Sequence, residues 1–223
     1  MEGRRDEADP VQLLTALTTE HFTLQGARSQ TMSESSARAS VYVFSVSSAL
    51  VALGFVAQIS EVGDAFNVFA LAVLPTLYLL GSFTFVRMVE CGAEDFRYGM
   101  AINRIRSYYK ELAGDRANLF LLSGHDDGRG VFANMSLMVE NRTPLFAFSS
   151  AIAVINGVVG GSAVAIALGA LADVSLGLAT AAGAIAAIGS IVGWIRYALR
   201  LLAASAAEVR PLFPSPAAEV GRR

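Results

Sequence analysis

Lysine and arginine are missing from two long windows of this 223-residue chain, 40–86 and 143–195, although seventeen basic residues lie elsewhere. A basic residue at the centre of a membrane helix costs roughly 2.5 to 3.5 kcal/mol on insertion scales, so each window reads as a pair of bilayer crossings. Cysteine is nearly absent: Cys91 alone excludes an intrachain disulfide and a Cys-based zinc site. Charged residues make up only 16% of the chain against roughly a quarter in soluble domains, and 54% are hydrophobic. Mean hydropathy is +0.51. A soluble core is thereby disfavoured. The net charge of -2 supplies no basic stripe for phosphate contacts, so nucleic acid is not an expected partner. No Asp, Glu, His, Lys or Arg falls in the central part of a predicted span, which removes the usual machinery of ion-coupled transport and of a retinal Schiff base.

What is present organises the chain as all-α and polytopic, with four transmembrane helices forming two hairpins. Span 1 is expected at 41–59, span 2 at 66–86, span 3 at 145–168 and span 4 at 176–197, each near the twenty residues that cross about 30 Å of hydrocarbon. Residues 1–9 are charged and read as disordered, and no cleavable signal peptide is visible because the first apolar run begins near Val41. Residues 10–39 form a helix leading into span 1, with Val11, Leu14, Leu17, His21 and Leu24 along one face. The hairpin 40–86 is followed by a helical segment, 87–143. There Tyr98, Ile102, Ile105 and Tyr109 mark the apolar face of a helix over 87–113 that Gly114 ends. This face suits packing on the N-terminal helix, contact with headgroups, or another subunit. The stretch 123–130 (SGHDDGRG) reads as a solvated loop, a shorter helix is expected near 131–140, and Pro144 leads into the second hairpin, 144–197. The tail 198–223 carries Pro211, Pro214 and Pro216 and is expected to be disordered from Arg210.

Four basic residues precede span 1, eight separate spans 2 and 3, and five follow the second window, whereas neither hairpin connector has any. Both termini are therefore expected in the cytoplasm. The connectors carry acids instead: Glu61 and Asp64 in one, Asp173 in the other. Trp194 and Tyr197 beside Arg196 and Arg200 suit interfacial anchoring of span 4, as does Tyr42 for span 1.

The hairpins differ in kind. The first is rich in Phe and Tyr and is expected to face lipid, while 151–193 has no aromatic but thirteen Ala and eight Gly. Gly157 with Gly161, and Gly189 with Gly193, stand at i, i+4, a spacing that lets helix backbones approach closely, within the monomer or between subunits. Asn156 is the strongly polar side chain inside a span and suits interhelical hydrogen bonding or a pore lining. Pro75 should kink span 2, with Thr76 compensating. Ser45, Ser47 and Ser48 serve either water or their own helix carbonyls. His125 with Asp126 and Asp127 reads as a turn rather than a metal site, acids around Cys91 argue against an activated thiolate, and the Asn141, Arg142, Thr143 glycosylation pattern is noise. No phosphate loop, dinucleotide fingerprint or nucleophile elbow is present, so neither cofactor nor metal is expected. Glu90, Glu94 and Asp95 followed by Arg97, Arg104, Arg106 and Lys110 suit a helix stabilised along its dipole.

The segments TALTTEHFTLQGARSQTMSESSARASVYVFSVSSALVALGF and LPTLYLLGSFTFVRMVE resemble a group of small four-span integral membrane proteins of high-GC, actinobacterial-type bacteria, over about residues 12–112. The resemblance implies a four-span fold in the bacterial inner (plasma) membrane and brings no activity. Sixteen Arg against one Lys agree with such a genome. The functional expectation is a homo-oligomeric ion channel or pore, mildly cation-selective through Glu61 and Asp64 at its outer mouth. The alternative is a non-catalytic membrane adaptor that binds a cytoplasmic partner through its 10–39 and 87–140 helices. A membrane enzyme is disfavoured because no acid and base groups gather together.

Overall fold

The computed structural model describes residues 9–60, 63–135 and 148–216, and among them the chain is helical without a strand. Helix α1 is Pro10–Ser60, α2 is Asp64–Ala113, α3 is Gly128–Asn134, α4 is Phe148–Ala172 and α5 is Leu176–Glu208, with a 3-10 helix at Gly114–Leu119. Four of these are long and apolar enough to cross a membrane. Residues 1–8, Glu61, the 136–147 stretch that holds Asn141, Pro144 and Leu145, and the chain beyond 216 lie outside the described residues.

Local chemistry accounts for the limits of these helices. Asp9 accepts from the amide of Val11 at 3.1 Å, and Pro10 takes a first-turn position where its missing N–H costs nothing. The predicted N-terminal helix and first apolar run are one unbroken helix of 51 residues. Helix α2 runs through Pro75, and the Thr76 hydroxyl donates to the Ala72 carbonyl at 2.8 Å. It ends before Gly114, whose φ of +52° suits glycine. Asp173 takes φ 51° after α4, a left-handed position that Asp tolerates, and the Val174 amide bonds back to the Leu168 carbonyl. Of the helix expected near 131–140, residues 131–134 are helical and 136–140 lie outside the described residues; the helix begins at Gly128 because Asp127 caps it by accepting from the Gly130 amide at 2.8 Å.

The described chain divides into two compact units, with boundaries inside α1, α2 and α5. One comprises residues 33–93 and 148–204 and holds the apolar runs. Its core is centred on Tyr42, Phe85, Leu74, Leu77, Ile152 and Val159, with Trp194 packed against it. Helices α4 and α5 approach closely: a Cβ on Gly183 would stand 2.6 Å from the Gly161 carbonyl, and one on Gly161 would collide with the Gly183 carbonyl. A larger side chain at either position would push the backbones apart.

The other unit comprises residues 9–32, 94–135 and 205–216. Here the α2 face made by Ile102, Ile105, Tyr98 and Tyr109 packs on Leu17 and Leu24 of α1, which selects the first of the three placements the periodicity allowed. Arg28 donates to Asp95 through Nε at 2.7 Å and Nη2 at 3.1 Å, tying the same two helices by a bidentate pair.

Candidate functional site

In the unit without the apolar runs, two adjacent carboxylates grip a proline-punctuated stretch of the same chain. The site begins with α2, which carries Asn103, Arg104, Arg106 and Ser107 on about one turn. Asn103 Nδ2 donates to the His125 carbonyl at 2.8 Å, Ser107 Oγ to the Gly124 carbonyl at 2.8 Å, and Arg106 Nη1 to the Ser123 carbonyl at 3.0 Å. Asn134 at the end of α3 bonds the Ser123 backbone from the other side, accepting from its amide at 2.7 Å and donating to its carbonyl at 2.9 Å. Three consecutive residues, 123–125, are thus strapped by side chains. Two glycines permit it: a Cβ on Gly124 would stand 2.7 Å from Ser107 Oγ, and one on Gly130 would strike the His125 backbone.

The strapped loop presents Asp126 and Asp127. Asp126 is 0% exposed. Its carboxylate accepts from the amides of Leu212 at 3.0 Å and Phe213 at 2.7 Å and from Arg104 Nε at 2.8 Å, while its own amide donates to the Phe213 carbonyl at 3.1 Å. Asp127, while capping α3, accepts from the Ser215 amide and hydroxyl, each at 2.7 Å. Arg104 Nη2 and Arg129 Nη1 donate to the carbonyls of Arg210 and Pro216 at 3.0 and 2.9 Å. Of the six residues 211–216, three are prolines without an N–H, and the amides of the other three all end on these two carboxylates. Next to this stretch, Val209 packs on Phe96, Met100 and Val131.

The electrostatics follow from that accounting. Burial pushes Asp126 up, but the Leu212 and Phe213 amides and the Arg104 guanidinium outweigh it and hold the carboxyl below its ordinary value. Burial likewise raises Asp127, and the Gly130 amide with the Ser215 hydroxyl and amide brings it down. Both groups therefore stay ionised as acceptors, and the arrangement is suited to holding a backbone. It offers no pair poised for proton transfer.

Two sequence expectations are corrected here. The 123–130 stretch is not a solvated loop: side chains from two helices take up its carbonyls, and Asp126 is buried. The 210–216 stretch is not disordered, because its prolines leave few donors to satisfy and the two aspartates satisfy them. In sequence, His125, Asp126 and Asp127 read as a solvated turn, with metal ligation the disfavoured alternative. The signal missed was the pairing of an Asp-Asp step with a distant P-x-x-P-x-P pattern. Among the described residues, no group of three His, Cys, Asp or Glu could hold a metal ion.

The candidate residues of the apolar runs fall in the other unit. Asn156 is 0% exposed, accepts from the Tyr42 hydroxyl at 3.1 Å and donates to Ser82 Oγ at 3.1 Å. Tyr42, expected as an interfacial anchor, is fully buried, since its hydroxyl finds that partner inside. Tyr78 and Ser190 share a second hydrogen bond of 3.0 Å. Ser45 donates to the Val41 carbonyl and Ser47 to the Val43 carbonyl, at 2.8 and 2.9 Å, while Ser48 is exposed. Gly157 faces Ile191 and Ala187, and Gly161 faces Gly183 and Ala187, whereas a Cβ on Gly189 or Gly193 would meet open space. Trp194 stacks at a tilt on Phe85 with ring centres 5.3 Å apart and edge-on to Tyr197 at 6.2 Å. Arg196 and Arg200 are exposed, as are Asp64 and Asp173. The aromatics of the 40–86 hairpin are mixed: Phe44, Phe55 and Phe83 are exposed, while Phe85 joins the core.

No family model matches the chain, and no curated protein or solved structure was found to be similar to it.

Proposed function

We propose that the protein is a non-catalytic adaptor of a bacterial inner membrane, held there by two helical hairpins, whose unit carrying the aspartate clamp faces the cytoplasm with both termini and binds a protein partner. The observation that carries this reading is the clamp itself, in which each amide of a proline-punctuated segment ends on a strapped, buried or half-buried carboxylate. Large apolar side chains left bare in the same unit support it: Phe22, Leu112, Leu119 and Leu121 are 62% to 94% exposed. The orientation rests on the distribution of basic residues.

A photo-crosslinking amino acid placed at Phe22, and as a control at Phe83, tests the reading in native membranes. The adaptor predicts one reproducible protein adduct from Phe22 and lipid adducts from Phe83. Only background adducts from Phe22 would refute it.

A channel remains the second reading, favoured by one observation. Gly189 and Gly193 open onto space beside exposed Ile185, Ile188 and Val192, a face on which another copy of α5 could pack. Against it, Asn156, Tyr42, Ser82, Tyr78 and Ser190 spend their polar groups on one another. Conductance of the purified protein in planar bilayers would restore this reading.

A further inference from the structure

The seated 211–216 segment defines what the clamp recognises. Among the described residues, six hydrogen bonds hold it, all through its backbone or the Ser215 hydroxyl: two carbonyls, three amides and that one side chain, with the carbonyl of the preceding Arg210 adding a seventh. The side chains of Leu212, Pro214 and Pro216 are exposed, Leu212 to 61%. Such a site reads the spacing of N–H groups along a backbone that bends at Leu212 and Phe213, so that two consecutive amides converge on one carboxylate, and it is nearly indifferent to which apolar residues lie between. Prolines help twice, by removing amides the site could not satisfy and by fixing the backbone φ at three of its six positions before it binds.

We propose that the clamp of Asp126, Asp127, Arg104 and Arg129 is a peptide-binding site for proline-punctuated segments of a partner protein that bend as residues 211–216 do, and that residues 211–216 are its displaceable internal occupant. This deepens the adaptor reading by naming the partner's chemistry, and rests on it for the claim that the peptide belongs to a partner. The internal segment competes at the high effective concentration of a tethered ligand, of order millimolar for a short flexible link, so a partner segment gains access when the internal one is weakened. Backbone-dominated recognition makes the exchange chemically simple. The incoming segment need only offer amides at the positions of Leu212, Phe213 and Ser215 and a hydroxyl at the last.

The test uses the full-length protein in lipid nanodiscs and a fluorescent peptide of the sequence RPLFPSP, followed by anisotropy. In the Leu212→Pro/Ser215→Pro protein the internal segment loses two carboxylate-bound amides and one hydroxyl. The peptide should bind this variant at least about tenfold more tightly than wild type, the change expected when one charge-assisted bond of the competitor is lost. A second peptide, with proline in place of Leu212 and Ser215, cannot misfold and should bind neither protein. Equal binding of RPLFPSP to both proteins, or equal binding of the two peptides to the variant, overturns the proposal. Since these are purified components, the outcome is separable from the adaptor reading: peptide binding with no protein adduct at Phe22 removes the adaptor and leaves the site.

Discussion

Replacing Asp126 with asparagine probes the clamp at its most buried atom pair. In the native site Oδ1 receives the Phe213 amide at 2.7 Å, while Oδ2 receives the Leu212 amide at 3.0 Å and Arg104 Nε at 2.8 Å. An asparagine has one acceptor oxygen, and its less damaging orientation keeps that oxygen towards Leu212 and Arg104. The amide nitrogen then faces the Phe213 N–H, donor against donor. One charge-assisted bond is lost, at about 1.5 to 3 kcal/mol, and the two that remain become neutral-acceptor bonds of roughly half their former strength. Arg104 is 36% exposed, so its share is reduced by solvent, while Asp126 at 0% has no such relief. The sum is about 3 kcal/mol, or roughly a hundredfold in the ratio of seated to released segment.

Hydrogen exchange reads this directly, because three of the six residues 211–216 are prolines and the only exchangeable backbone amides are those of Leu212, Phe213 and Ser215. Wild type should protect all three, and Asp126→Asn should reduce protection at Leu212 and Phe213 by about a hundredfold. The folded carboxyl lies below its ordinary value of 3.8, so its contribution is complete above that pH and is lost only as pH falls through the depressed value. Protection corrected for intrinsic exchange should therefore be flat through neutral and mildly acidic pH. If these three amides of wild type exchange like those of a free peptide, or if the substitution changes nothing, the clamp is not what holds the segment.

Three other outcomes follow from the geometry. Gly183→Ala places a Cβ 2.6 Å from the Gly161 carbonyl and should cost about 1 to 3 kcal/mol in detergent unfolding, while Gly189→Ala, with nothing within 4 Å, should stay within about 0.5 kcal/mol; equal costs would mean that the Gly189 face is packed as well. A double-mutant cycle of Tyr42→Phe and Asn156→Val should give a coupling of roughly 0.6 to 1.7 kcal/mol, and zero coupling would deny the buried hydrogen bond its part in joining α1 to α4. Hydrogen bonds from Arg87 and then Arg38 hold Glu34 at a pKa of about 2, so any stability advantage of wild type over Glu34→Gln should be constant above pH 4.5 and fade as pH falls towards 2; an advantage that grows with acid would reverse the assigned sign.

Composition and periodicity carried much of the architecture. Apolar runs without basic residues identify four helices long enough for a membrane because that signal is local and summed over about twenty positions. The face of Tyr98, Ile102, Ile105 and Tyr109 was equally legible, since 3.6-residue spacing needs no partner to be seen. Its partner was not, because three surfaces satisfy the same pattern and only the packed Leu17 and Leu24 decide among them. Glycine spacing shows the same division. Gly157 with Gly161 and Gly189 with Gly193 are indistinguishable along the chain, yet one pair meets α5 and the other meets nothing within 4 Å.

What the sequence by itself determined is helicity, the number and extent of the apolar runs, and which residues could share a helix face, for these follow from neighbours along the chain. Only the tertiary structure decided that Asp95 pairs with Arg28 sixty-seven positions away, that Asn156 joins Tyr42 and Ser82, and that Asp126 and Asp127 close on residues 211–216. The reason is physical: an aspartate and a proline-rich segment each look solvated when read alone. Their amides and carboxylates become a site only when folding brings together partners more than eighty residues apart and removes the water that would otherwise satisfy both.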